Sequence, residues 1–161
     1  MKLTIDSDVL AYAFIEPTKE VYKERFDEFK ALHNKADYIY KGVIRDIHEL
    51  IIPSTVLIEV AIVMSRAVGE EIAKTVYERV KKHATEILYI NEKFTTYCME
   101  KGIKTHLSGF DTVVFACVVH ADSVLVTNDR SFFRNVKKHH PEIKAYLLRE
   151  VNIHEFSFHD K

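Results

Sequence analysis

Four carboxylates stand in apolar surroundings in this chain of 161 residues. Asp6 ends LTID, Glu59 interrupts VLIEVAIVM, Asp111 opens DTVVFACVV and Asp129 ends VLVTND. Most other acids lie in mixed stretches such as EVYKERFDEFK, where a solvated helix face accounts for them. A carboxylate among apolar residues is different, because taking its charge out of water is costly unless a partner compensates. Singly, each has a structural explanation: an Asx turn at Asp6, an N-cap at Asp111, a turn at Asp129, a distant lysine for Glu59. Gathered in one place, they would repel one another unless protonated or joined by a cation. A hard divalent ion with oxygen ligands, Mg²⁺ or Mn²⁺, is the simplest such cation. Ions of that kind hold phosphates, activate water and stabilise displacement at phosphorus. The chemistry this points to is metal-assisted phosphoester hydrolysis.

Whether the acids meet depends on the elements that carry them. KLTID (2–6), ELIIP (49–53), EILYI (86–90), SVLVT (123–127) and IKAYLL (143–148) read as strands. Helical patterns fill the intervals. VLAYAF runs to a turn at Glu16-Pro17, and EVYKERFDEFKALHNKA (20–36) repeats Val21, Phe26, Phe29 and Leu32 near helical spacing. DYIYKGVIRDIHE (37–49) reads as a second helix of the same insertion, which spans about 16–48. STVLIEVAIVMSRAV (54–68) starts at Ser54 or Thr55 as N-cap, and EEIAKTVYERVKKHA (70–84) carries its cations at the favourable end. NEKFTTYCMEKG (91–102) stops at Gly102 as C-cap, and RSFFRNVKKHH (130–140) stops at Pro141. DTVVFACVVHA (111–121) is apolar on nearly every face and should be deeply buried.

Strands alternating with helices imply an α/β fold: a central parallel sheet of about five strands covered by helices on both faces, in one domain over 1–161. Ligands of such sheets bind at the carboxyl edge of the strands. Asp6 and Asp129 follow strands directly, Glu59 lies one turn into the helix after ELIIP, and the helix from Asp111 runs back to the start of SVLVT. All four acids can therefore share one pocket. No Arg or Lys accompanies them in the sequence.

Composition narrows the setting. A net charge of -1 gives no whole-surface attraction to nucleic acid, so such binding would rest on a local patch. Cys98 and Cys117 lie too far apart in sequence for a CxxC site, and two cysteines make no disulfide framework, which suits a reducing cytoplasm. MKLTIDSD reaches acid too early for a signal peptide, and the apolar run VVFACVV is far short of a membrane span. A soluble, cytoplasmic protein is expected.

The chain resembles the PIN-domain nucleases, including the VapC-type toxin ribonucleases, over most of its length. TIDSDVL supplies an Asp after the first strand, STVLIEVAIV a Glu in an apolar helix, and LSGFDTVVFACVVHADSVLVTNDRSF the long C-terminal block. That last block holds an Asp, a buried helix, a strand, Thr-x-Asp and an aromatic. The resemblance implies a single PIN-like domain and a Mg²⁺ or Mn²⁺ site of Asp6, Glu59, Asp111 and Asp129, one or two ions, with Thr127 contributing its hydroxyl. Asp8 departs from the pattern, which usually has Asn there, and is assigned a supporting role. The implied activity is hydrolysis of RNA to leave a 5′-phosphate and a 3′-hydroxyl. A homodimer and a small antitoxin partner are implied as well.

RNA contacts need cations, and Arg130, Arg134, Lys137 and Lys138 crowd one short helix after Asp129. Arg130 and Arg134, at i and i+4, share a face, although a solvated helix end accounts for the same residues. Phe132 and Phe133 fit core packing better than base stacking. Tyr12 and Phe14 also read as core, and His106 and His120 are not assigned to catalysis.

Two other readings compete. An apolar strand followed by D-x-D-x-V-L is similar to the nucleophile motif of haloacid-dehalogenase-type phosphatases, with Asp6 attacking phosphorus. That reading leaves Glu59 and Asp111 unexplained and finds one late acid in LVTND where two are needed. The other is a PIN-like scaffold that binds RNA or protein and cleaves nothing.

Overall fold

The structure, a computed structural model, describes residues 1–157. Five strands, β1 (Lys2–Ile5), β2 (Glu49–Pro53), β3 (Ala84–Leu88), β4 (Val124–Thr127) and β5 (Ala145–Leu147), form one sheet in the order β3-β2-β1-β4-β5. Every neighbouring pair is parallel. The chain steps outward from β1 through β2 to β3, then returns to the other side of β1 for β4 and β5. The order therefore reverses between β1 and β4, where a crevice opens at the carboxyl edge of a parallel sheet.

Helices cover both faces, as the alternation along β2 requires. Leu50 and Ile52 belong to the larger core with residues of α1 (Ser7–Phe14), α3 (Phe26–Ile44), α4 (Ser54–Val68) and α5 (Glu70–His83). Ile51 points to the other face, against Phe94 and Cys98 of α6 (Glu92–Thr105) and Ala116 and Cys117 of α7 (Gly109–Ala121). As expected, α7 is apolar nearly all round and deeply buried. A short α2 (Lys19–Tyr22) precedes α3, and α8 (Arg130–His139) follows β4. No helix among the described residues is long and apolar enough to cross a membrane.

Several boundaries differ from expectation. β3 begins at Ala84, two residues earlier than EILYI, and Tyr89 and Ile90 are exposed beyond it. The two helices expected over 20–36 and 37–49 are one continuous α3, because nothing near Ala36 breaks the turn. Leu32, Ala36, Ile39, Tyr40 and Val43 make its buried stripe. Val21 does not belong to that stripe: it sits in α2, 71% exposed, before Lys23 turns the chain with φ 47°. Gly102 is not a cap either. It lies inside α6, where a Cβ would stand 2.8 Å from Thr112 Cγ2, so glycine is required by the close approach of α7. His106, in the left-handed region, ends the helix instead. Pro53, not Ser54 or Thr55, occupies the N-cap position of α4, and no side chain caps that end.

Candidate active site

Parallel register places Ile5 beside Val126, so the next residues along the chain, Asp6 just past β1 and Thr127 at the end of β4, meet across the β1–β4 border. The Asp6 amide donates to Val126 O at 2.9 Å and fixes the carboxylate at the crevice. Asp6 is also the N-cap of α1: its Oδ1 accepts from Ser7 N at 2.8 Å. Its Oδ2 accepts from Thr127 Oγ1 at 2.7 Å, and that hydroxyl accepts in turn from the Asp129 amide at 3.0 Å. One threonine thus ties two acids from two strands. Asp129 caps α8, its Oδ1 accepting from Ser131 N at 2.6 Å and Phe132 N at 2.9 Å.

The expected acids sense one another's charge. Burial raises the Asp6 carboxyl to about 6 against the pull of Thr127 and Ser7, and the charges of Asp111 and Glu59 add to the rise. Asp8 is raised further, to about 7, by burial and then by Asp6, with Asp129 contributing. It accepts the Asn128 amide through both oxygens, at 3.2 and 3.4 Å, and does not cap α1. Asp111 lies in the first turn of α7, where Ser108 is the cap, and is raised by burial and by Asp129. Asp129 alone goes down: partial burial pushes it up, but the amide bonds of the α8 N-terminus outweigh that. Among the described residues none of these five acids forms an ion pair.

Several neighbours carry no sequence signal. Asn128 is buried beside Asp8, and Arg149, just past β5, donates from Nε to Asn128 Oδ1 at 3.2 Å. A cation distant in sequence thus reaches the neighbourhood of the acids by way of the sheet order, though it bonds Asn128 and none of the acids. Tyr12, read as core, is only half-buried; its ring meets Phe29 at 5.9 Å and its phenol is raised by burial and by the charge of Asp8. Thr55 Oγ1, one turn before Glu59, is buried without a hydrogen-bond partner.

The remaining expectations divide. Phe132 is fully buried, as expected, and Phe14 packs edge-on against Tyr40 at 4.9 Å. His120 packs against Tyr97 at 5.8 Å, consistent with a structural part. Arg130, Arg134 and Lys138 are exposed on α8, whereas Lys137 donates to Ile143 O at 3.2 Å and so serves the turn before β5.

Among the described residues, no three His, Cys, Asp or Glu side chains are drawn close enough to form a ready-made metal site. What fits a hard divalent ion is the donor chemistry: carboxylate oxygens, raised pKa values and no pairing cation.

A family model for the PIN domain matches residues 4–138, and the chain belongs to that family. The dehalogenase-like reading of TIDSDVL falls with this finding. Solved structures share the fold at low identity. VapBC2 from Rickettsia felis, bound to a promoter DNA fragment, is 18% identical, covers 91% of this chain and 98% of its own, and superposes with a TM-score of 0.56. VapC20 from Mycobacterium tuberculosis, a toxin that cleaves the sarcin–ricin loop, is 14% identical over 82% of this chain and 93% of its own, with a TM-score of 0.58. FitAB bound to an IR36 DNA fragment is 10% identical over 93% and 97%, with a TM-score of 0.61. No curated protein matches this chain in sequence.

Proposed function

We propose that this protein is a metal-dependent endoribonuclease and the toxin of a toxin–antitoxin pair. One observation carries the reading: Asp6 and Asp8, at the reversal of strand order, are raised by burial and by the charges of neighbouring acids, with no lysine or arginine paired to them among the described residues. Mutual repulsion of that kind is tolerated where a cation belongs. Asp6, Glu59, Asp111 and Asp129 would hold one or two Mg²⁺ or Mn²⁺ ions, with Asp8 in support. The bound metal would supply an activated water and charge stabilisation at phosphorus.

The protein's own groups prepare that chemistry. Thr127 spends its single proton on Asp6 Oδ2 and so holds the carboxylate in one orientation. The α8 amides lock Asp129 through Oδ1 and keep it ionised. Asp8, raised to about 7, is suited to take or give a proton near neutrality. Arg130 and Arg134, with Lys138, offer exposed cations for the RNA backbone beside the acids.

The toxin role rests on the neighbours: a VapBC pair, a FitAB pair and an RNA-cleaving VapC toxin share the fold. A small antitoxin is the partner this implies. A homodimer is supported by Ile58, Ile62, Val63 and Ile72, exposed on α4 and α5, the helices that also line a groove of about 560 Å³.

The test is cleavage of end-labelled RNA of mixed sequence by pure protein in EDTA, Mg²⁺ or Mn²⁺. Metal-dependent cutting that disappears in Asp6→Asn and Asp111→Asn is the expected result. A folded wild type that binds RNA and never cuts it would make the protein a scaffold.

A further inference from the structure

An acidic crevice repels the polyanion it is proposed to cut, and the chain as a whole carries a net charge of -1. Some fixed cation must offset that repulsion at the rim. Arg149 has the right placement. It follows β5, next to β4 in the sheet, and so reaches the same carboxyl edge as Asp6 and Asp129. Its backbone is tied down on both sides: Leu148 N donates to Thr127 O at 2.8 Å, and Lys35 Nζ donates to Arg149 O at 2.9 Å and Leu148 O at 3.3 Å. The side chain is anchored through Nε to Asn128 Oδ1, one residue from the Asp129 cap. Its two terminal nitrogens make no hydrogen bond among the described residues. Glu28 on α3 feels the charges of both Arg149 and Arg130.

We infer that Arg149 binds a phosphate of the RNA strand at the rim of the acidic crevice, and so anchors the substrate beside the bond to be cut. The inference rests on the ribonuclease reading. A guanidinium held at Nε presents its free nitrogens as a planar fork, the geometry that suits phosphate oxygens. Anchoring by Lys35 and Asn128 means little side-chain freedom is lost on binding. The competing role is purely internal: Arg149 would orient Asn128, and through its amide Asp8, without touching RNA.

The two roles separate in RNA binding without metal. A labelled single-stranded RNA of mixed sequence is titrated with wild type, Arg149→Ala and Arg149→Lys in EDTA over a series of salt concentrations, with thermal melts as a fold control. Arg149→Ala is expected to bind about tenfold more weakly. Its log K against log salt should flatten by about 0.7, one phosphate contact on a single strand. Arg149→Lys should keep the slope and regain part of the affinity, since the charge stays and the fork is lost. If Arg149→Ala should melt early, Arg149→Lys still decides the matter: affinity equal to wild type would overturn the phosphate fork. A folded Arg149→Ala with an unchanged salt slope, even one that cuts slowly, would overturn the inference and leave the ribonuclease reading standing. A wild type that neither binds nor cuts RNA would instead remove that reading and this inference with it.

Discussion

Strands β1 and β4 carry polar side chains on the border they share, and the two clusters there are treated in opposite ways. In the interior, Thr4 Oγ1 meets Ser123 Oγ at 2.7 Å and Cys117 Sγ at 3.7 Å, and Cys117 reaches Ile51 O at 3.7 Å. Each group is neutral, and burial pushes the thiol up to about 12, so it stays protonated. Every polar atom has a partner from the chain itself. At the carboxyl edge, Asp6 and Asp8 are raised to about 6 and about 7, chiefly by burial and further by the charges of neighbouring acids. A fold that satisfies buried polar groups so fully in one place leaves charge unneutralised in the other. The physical difference is between polarity spent on stability and polarity that the proposed function would use.

The largest expected effect tests that division directly. Asp6→Asn or Asp111→Asn should lower metal-dependent RNA cleavage by at least ~100-fold, the scale of losing a metal-binding or proton-transfer group. Thr4→Val should leave cleavage within about twofold, since its hydroxyl faces no solvent and no substrate. Equal losses from both ends would erase the distinction.

Stability should move the other way. Asp8 is raised from the ordinary carboxylate range to about 7 in the folded protein, so between about pH 4 and pH 7 the folded state binds more protons than the unfolded chain. Folding stability therefore falls as pH rises through that window, and the cost persists above it. In EDTA at pH 8, Asp8→Asn should gain about 2 kcal/mol, less than the full shift implies because Asp6 shares the same repulsion. Near pH 4 the gain should vanish. Urea titrations at the two values check this, and a variant no more stable than wild type at pH 8 would contradict the account of a strained acidic cluster.

Metal should relieve the strain that Asp8→Asn removes by mutation. At tenfold excess over its dissociation constant, a bound ion adds about 1.4 kcal/mol. For a chain of this size that raises Tm by roughly 3–5 °C. Melts with Mn²⁺ should show the rise in wild type and in Thr4→Val but not in Asp6→Asn. A rise retained in Asp6→Asn would place the ion elsewhere.

The sequence alone was readable where a local rule and the tertiary structure agreed. Asp6 and Asp129 follow β-branched runs, and the sheet puts both at its carboxyl edge. ELIIP and STVLIEVAIVMSRAV have the expected bounds because Pro53 and Gly69 punctuate them sharply. Arg149 was invisible, because nothing in LLREV isolates a cation and only the β4–β5 pairing brings it to Asn128. Gly102 misled for a related reason: its value lies in the packing of α6 on α7, a contact no local pattern announces. Tyr12 was half legible. Its apolar ring belongs to the core side of α1, but its hydroxyl end senses the charge of Asp8, one turn away on the same helix.

The smallest effect asks whether the interior cluster is purely internal. Thr4→Val leaves Ser123 Oγ without its 2.7 Å partner in a fully buried position and should cost about 1–2 kcal/mol. Ser123→Ala should cost a similar amount from the other side. Removing both hydroxyls leaves neither stranded, so the double variant should be less destabilised than the two single losses added together. That coupling, read from urea midpoints, is the signature of a pair satisfied by itself. Additive losses would mean that each hydroxyl serves something else, Cys117 for Thr4 being the nearest choice. Cleavage should follow neither the singles nor the double, because the Asp6–Thr127–Asp129 relay at the crevice uses none of these atoms.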